Sequence, residues 1–515
     1  MNEQIHNLAE AIKNKRPVLA EVLNNFGHMT LSKYSALFKN TKNVLQKTIQ
    51  SKDDFVNICG DYTERLIGKN AAVKIKKRLT DFQDILTANH HGPTFSYIQI
   101  QGEIVYALSE KADDIMPVFA FGDIPLNNVT YPRGIMLSSN EKLPLFPDSK
   151  KNSLVSFVEA YTEDSVAKAL NKADKLFSCG KLSEREYKTI CCILNEVYLD
   201  NRVLACSSYS EQSVIINAKL WDMIFETEQE RYMPERACIE IEKIVSQLLE
   251  TDLYNKKSLI YNIFFNSSLR NNILSDLDKM YGCWDNEKLK TLSNCVNELH
   301  QQRRELLAGS GTAFFWGIDS KKRRIPLYLN SIDNKLYLSG IDDSGENFKI
   351  RFDQQSLRDA LCNGLILPSL FTCFSAVSFA RGYECYGGFM QTDYLTNMCN
   401  GLGAALEHSN YTEWAKIVSS VKTDNFCTGL QFILQKRNNG KIYPAGTIEI
   451  IASGGLSKKD IDLIRKTPLE HANYMGMPIR YPTVFRKKER NEELENITVD
   501  DIFSELGGSE FLLLE

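Results

Sequence analysis

Apolar positions recur at helical spacing through the first eighty residues, in Leu8, Ile12, Leu19, Val22 and Leu23, and again in Leu37, Val44, Leu45 and Ile49. Ser51-Lys-Asp-Asp reads as the capped start of a further helix that runs to about Ile67. The pattern changes at residue 83. Asp84-Ile-Leu-Thr-Ala is a short apolar run of strand type ending in Asn89-His-His-Gly-Pro. Residues 94–110 then suit a helix, and Ile115-Met-Pro-Val-Phe-Ala-Phe is a second strand that ends at Gly122-Asp123. This is one β-loop-α-β unit, the building block of a parallel sheet.

Beyond it the pattern predicts mostly helix over 150–300, clearest at 166–177, 183–197, 235–251 and 289–307, with 201–208 and 213–216 as short strands of the same sheet. Residues 233–285 read as a helical insertion. Short runs at 312–318, 324–329, 335–339 and 348–352, broken by Asp, Gly and Asn, predict antiparallel β structure. Helix returns over 354–408, followed by strand-like 427–435 and 447–452. The acidic end carries a short apolar tip, Phe511-Leu-Leu-Leu, read as a terminal helix or a loose tail. The expected fold class is α/β: a Rossmann-like parallel sheet core with helical insertions and a small antiparallel β subdomain. The expected divisions are a helical N-terminal segment (1–82), the first part of the core (83–232), a helical insertion (233–310), the β subdomain (311–353), the second part of the core (354–485) and a C-terminal tail (486–515).

Composition narrows the function classes. The 515 residues correspond to about three domains. Lys plus Arg is 61 against 65 Asp plus Glu, a net charge of −4, with no long basic run, so nucleic acid is not an expected partner. No stretch of about 18 apolar residues predicts a membrane helix, and the polar N-terminus lacks the apolar core of a signal peptide. The 13 cysteines are scattered without a CxxC pair, which fits reduced thiols in the cytoplasm. A small-molecule substrate is the expected partner, with self-association into a homo-oligomer carried beside it.

Four segments carry candidate chemistry. In Asn89-His90-His91-Gly92, two of the seven histidines sit where a strand gives way to a helix, so the turn offers imidazole acid–base groups beside a glycine that lets an anion approach. His90 and His91, with Asp123, are the catalytic candidates. The loop 123–134 adds Asn127 and the planar fork of Arg133 for a carboxylate or phosphate. The stretch 379–394 adds Tyr386, the pair Gly387-Gly388, and Gln391 and Asp393 at the start of the following helix; Cys385 within it reads as a core thiol rather than a nucleophile. Ser457 and Lys458, after Ser453-Gly-Gly-Leu, form a weaker phosphate-binding candidate whose spacing is not that of a P-loop. No histidine or cysteine spacing points to a metal.

The order of these features resembles the cysteine-adding enzyme family of bacillithiol biosynthesis. That family has a strand, a GQQxG-like turn, a helix, a PVFW strand and a polar loop; here the counterparts are Thr87-Ala-Asn89-His90-His91-Gly92 and Pro117-Val-Phe-Ala-Phe-Gly-Asp123. Its later GGPGEIAYW segment is similar to Gly387-Gly388-Phe-Met-Gln391-Thr-Asp393-Tyr394. The resemblance implies a Rossmann-like core in a bacterial, cytosolic biosynthetic ligase or transferase that joins a small amino-acid-like substrate to an amine or other acceptor. The cofactor is left open, with ATP or another adenine nucleotide as the candidate. The Gln-Gln of the family turn is His-His here, which motivates the alternative of a non-catalytic small-ligand-binding or regulatory protein on an enzyme-like fold.

Overall fold

The computed structural model describes residues 3–37, 47–226, 231–294, 309–437 and 440–514. Val44, Leu45 and the part of the 289–307 stretch beyond residue 294 lie outside them. The chain is mixed α/β, built around strands β1 (Asp84–His90) and β2 (Ile115–Phe121), which pair in parallel as the sequence pattern predicts. The crossover helix between them, Tyr97–Ala107, lies within the predicted 94–110 stretch and starts five residues after Gly92. Strands β3 (Gly134–Met136) and β4 (Lys142–Pro144) form a small hairpin in the loop beyond β2.

The next central strand falls where a helix is predicted. Residues Glu235–Glu240 form β5, which pairs in parallel with β2 from Ile115↔Glu235 to Ala120↔Glu240, and only then does the chain turn into the helix Ile241–Asp252. Charges spaced along Glu235-Arg-Ala-Cys-Ile-Glu-Ile-Glu imitate a helical face. Arg236 is nevertheless buried, because it pairs at 2.7 Å with Glu103 of the crossover helix. Conversely, 201–208 and 213–216 are not strands. They fall in the helices Asn201–Leu204 and Tyr209–Met223 and in the short link between them, the helix starts being capped by Asp200 and Ser208.

The antiparallel subdomain consists of β6 (Phe315–Ile318), β7 (Arg324–Pro326), β8 (Tyr328–Ile332), β9 (Lys335–Ile341) and β10 (Asn347–Arg351), with β11 (Ile366–Pro368) joining β6. Strand β12 (Glu384–Tyr386) then returns to the central sheet on the free side of β1, so the sheet order is β12-β1-β2-β5. Near the end, β13 (Ile433–Lys436) and β14 (Ile442–Pro444) pair antiparallel. The apolar tip becomes β15 (Leu512–Leu514), added in parallel to β13, so it is neither helix nor loose tail. The run 447–452 is a helix, Thr447–Ala452, because Glu449 reaches back to accept from the Gly446 N–H at 3.0 Å and from the Ser138 N–H at 2.8 Å.

Both faces of the parallel sheet are covered, which is why β2 is a continuous apolar run. Ile115, Phe119 and Phe121 point into a core shared with the helices Asp53–Leu66, Lys69–Asp81, Ile241–Asp252 and Phe389–His408. Met116 and Val118 point the other way, toward the crossover helix, the first three helices of the chain and the segment from 426 to 514. The N-terminal helices are therefore divided between the two faces. Among the described residues no helix is long and apolar enough to cross a membrane.

Candidate functional site

In an open parallel sheet the crevice for a ligand lies outside the carboxyl ends of the strands, where the strand order reverses. Here β1, β2 and β5 succeed one another in one direction and β12 lies on the other side of β1, so the reversal falls between β12 and β1. The segments that leave these ends are 387–394 after β12, 91–96 after β1, 122–133 after β2 and 241–243 after β5.

At the end of β1, His90 is half-buried and its Nδ1 lies 2.7 Å from Asn128 Oδ1. That oxygen can only accept, so Nδ1 carries the proton and Nε2 is the basic nitrogen. Burial lowers the His90 pKa, outweighing Asn128 and the charge of Asp123, so the ring is a neutral base near pH 7. Asp123 is nearly buried and pairs at 3.2 Å with Arg324 of β7, whose guanidinium lies 4.5 Å over the Trp316 ring. The charge of Asp123 also acts on Tyr394, whose phenol is held up mainly by burial. His90, Asp123, Arg324 and Tyr394 thus share one neighbourhood. Tyr394 in turn approaches Gln391 Oε1 at 3.4 Å, and Gln391 Nε2 donates to Thr87 Oγ1 at 2.6 Å and Cys385 O at 3.1 Å, bridging β12 and β1. Asp393 is paired with Arg16 at 3.2 Å.

His91 faces the other way from the chain's crevice-side groups. It is fully buried, with Nε2 2.9 Å from Ser210 Oγ and Nδ1 3.8 Å from Cys238 Sγ. Ser210 gives its proton to Glu240, so His91 Nε2 must donate to Ser210 and Nδ1 receives the Cys238 thiol. Burial drives His91 down to about 4 and it stays neutral. Glu240 is the ionised member of this chain. Burial opposes its charge, but Lys243, together with hydrogen bonds from Ser156 and Ser210, holds it at about 2. Two residues on, Glu242 accepts from the N–H groups of Gly122 and Asp123 at 3.0 Å. Burial, with the charges of Asp123 and Glu240, raises its carboxyl well above the ordinary range. The β5 end therefore carries two carboxyl groups whose surroundings push their pKa values in opposite directions.

The remaining predicted residues are tied up elsewhere. Asn89 is buried and donates to Glu103, within the network that holds Arg236. Gly92 has φ +130°, and a Cβ there would stand 2.5 Å from Pro132 Cβ, so this glycine serves a close backbone contact. Arg133 is spent on Phe146 O at 2.8 Å and Asp148 at 2.5 Å, and Asn127 is exposed on the loop. The Tyr386 hydroxyl donates to Glu384 at 2.6 Å. Ser457 donates to Asp460 at 2.7 Å and accepts from its N–H at 3.2 Å, closing a capping box on the seven-residue helix Lys458–Ile464. By contrast Gly387-Gly388 lead straight into the 20-residue helix Phe389–His408, whose start has no side-chain cap.

Sequence reasoning missed Arg324, because it comes from the antiparallel subdomain, and Glu240 and Glu242, because 235–251 reads as one helix. The Glu-x-Glu at the end of an apolar run was the available signal. Among the described residues no group of three or more His, Cys, Asp or Glu is arranged to hold a metal ion. No family model, curated protein or solved structure matches this chain.

Proposed function

We propose that the protein is a ligase- or transferase-type enzyme acting on a small amino-acid-like substrate in the crevice between β12 and β1. The observation that carries this is that His90 and Asp123 stand at the carboxyl ends of two adjacent parallel strands, beside the reversal of strand order. In this reading His90 Nε2 takes the proton from the amine as it attacks the activated carboxyl of the amino-acid-like substrate and the activating group departs, Arg324, held by Asp123, steadies the developing negative charge, and Tyr394, fixed by Gln391, orients the substrate. An adenine nucleotide as energy source, a cytoplasmic setting and kinship with the cysteine-adding enzymes of bacillithiol biosynthesis belong to the same proposal.

The test is a thermal-shift screen against nucleotides, free amino acids including cysteine, and amino sugars, followed by turnover with the compounds that shift. A ligand at 100 times its Kd stabilises by about 2.7 kcal/mol. His90→Ala is expected to cost at least tenfold in rate with an unchanged melting temperature. Undiminished turnover in both His90→Ala and Asp123→Asn would remove the mechanism. The confinement of His91, Arg133 and Asn89 to internal bonds favours the alternative, a non-catalytic ligand binder. That reading expects a thermal shift with no turnover and no dependence on His90.

A further inference from the structure

The paired helices Leu469–Met475 and Met477–Val484 hold polar groups that no described residue satisfies. Arg480 is only 4 % exposed. Its Nε donates to Gly476 O at 3.2 Å and Nη2 to Asn473 O at 2.5 Å, but Nη1 has no partner among the described residues. No carboxylate among the described residues answers its charge, and burial lowers its pKa to about 10, offset only by Cys427. Asn473 is completely buried, and neither its Oδ1 nor its Nδ2 is bonded among the described residues. Gln431, whose N–H donates to Ala472 O at 2.8 Å, is 1 % exposed with Oε1 unbonded. Buried polar groups are nearly always hydrogen-bonded, and a buried charge without a counter-charge is the most costly exception.

Arg480 lies beside the start of the helix that follows β12. The Arg480 guanidinium lies 5.4 Å from the centre of the Phe389 ring, the first residue of the uncapped Phe389–His408 helix. A Cβ built on Gly388, the preceding residue, would meet nothing nearer than Thr428 Oγ1 at 3.9 Å, so there is room at the helix start. Gly388, Phe389 and Met390 are half-buried, which keeps the place reachable from solvent. A long helix offers free N–H groups and a partial positive charge at this end.

We propose that Arg480 and the amino end of the Phe389–His408 helix together bind an oxyanion, the carboxylate or phosphate group of the substrate held between β12 and β1. The assignment rests on the reading of that crevice as the substrate site. It supplies the anion contact expected of Arg133, which is committed to Asp148. Arg480 binds the charged end of the substrate and His90 works at the reacting end.

The test titrates full-length protein with sodium phosphate and, separately, with sodium acetate at constant ionic strength, reading the melting temperature and heat of binding. A saturable rise with one anion identifies which oxyanion the site takes. Arg480→Met is expected to abolish that rise and Arg480→Lys to weaken binding at least tenfold, while His90→Ala leaves it unchanged. This separates the anion site from the proposed chemistry: binding that persists in an inactive His90→Ala protein supports it whatever the reaction is. As a measurement that needs no variant, crystals soaked in selenate are expected to show an anomalous peak beside Arg480 and the Phe389 amide. No saturable response to either anion, an equal response in Arg480→Met, or a selenate peak only elsewhere would overturn the proposal.

Discussion

His91 shows how burial sets the behaviour of a single side chain. An unfolded chain protonates this histidine near pH 6.5, whereas in the folded protein burial holds its pKa at about 4. Between those values the unfolded state binds more protons, so stability rises with pH across the window. The contribution is fully present above pH 6.5 and is lost as pH falls toward 4, amounting to about 3 kcal/mol. Glu240, held at about 2, has the same sign and extends the loss into more acid solution. Glu242, raised by burial, has the opposite sign and its contribution fades as pH rises. Urea midpoints at pH 5 and pH 7 are expected to differ markedly in the parent and much less in His91→Leu, whatever the variant's overall stability. Gly92 makes a second residue-scale case: Gly92→Ala forces φ +130° on a side chain that strikes Pro132, an expected loss of roughly 1–3 kcal/mol by denaturant titration.

At the scale of elements, sequence and structure agree where one signal dominates. The apolar runs of β1 and β2 are legible because β2 is wholly buried, β1 nearly so, and the one charge, Asp84, stands at the very start of β1. The antiparallel strands of the 315–351 region are legible because turn residues punctuate them. β5 is hidden because Arg236 is matched by Glu103, a residue more than a hundred positions away, and such a match has no local trace. The Ile-rich helix Thr447–Ala452 is hidden for the converse reason: its β-branched residues suggest a strand, and a cap from Glu449 overrides them. The site follows the same division. His90, Asp123 and the Gly387-Gly388 turn are visible because they end strands, whereas Arg324 arrives from another sheet and Arg480 from a late helix. Ser457 was legible as a polar helix start, and its role is mechanical. Ser457→Ala is expected to lower stability by about 1 kcal/mol and to leave any ligand-induced thermal shift unchanged.

Across the whole molecule, Arg381 fastens three separate stretches of chain. It is fully buried and donates to Asp54 at 2.6 and 2.9 Å, to Asp252 at 3.0 Å and to the Ala376 carbonyl at 2.9 Å. Arg381→Met would strand the buried carboxylate of Asp252, an expected loss of about 3–5 kcal/mol by urea titration. Asp54 is 40 % exposed and contributes little of that loss. Replacing Asp252 by Leu in the same protein is expected to return part of the stability, since the uncompensated charge then disappears.

The sheet order has a consequence in time. β12 completes the sheet beside β1, yet the Thr87 hydroxyl that bonds the Tyr386 carbonyl waits for a residue 299 positions later in the chain. At about 5–20 residues per second, synthesis leaves the outer edge of β1 without its neighbour for roughly 15–60 s. Throughout that interval a nascent chain carries β1 without the strand that covers its outer edge, open to pairing with another chain.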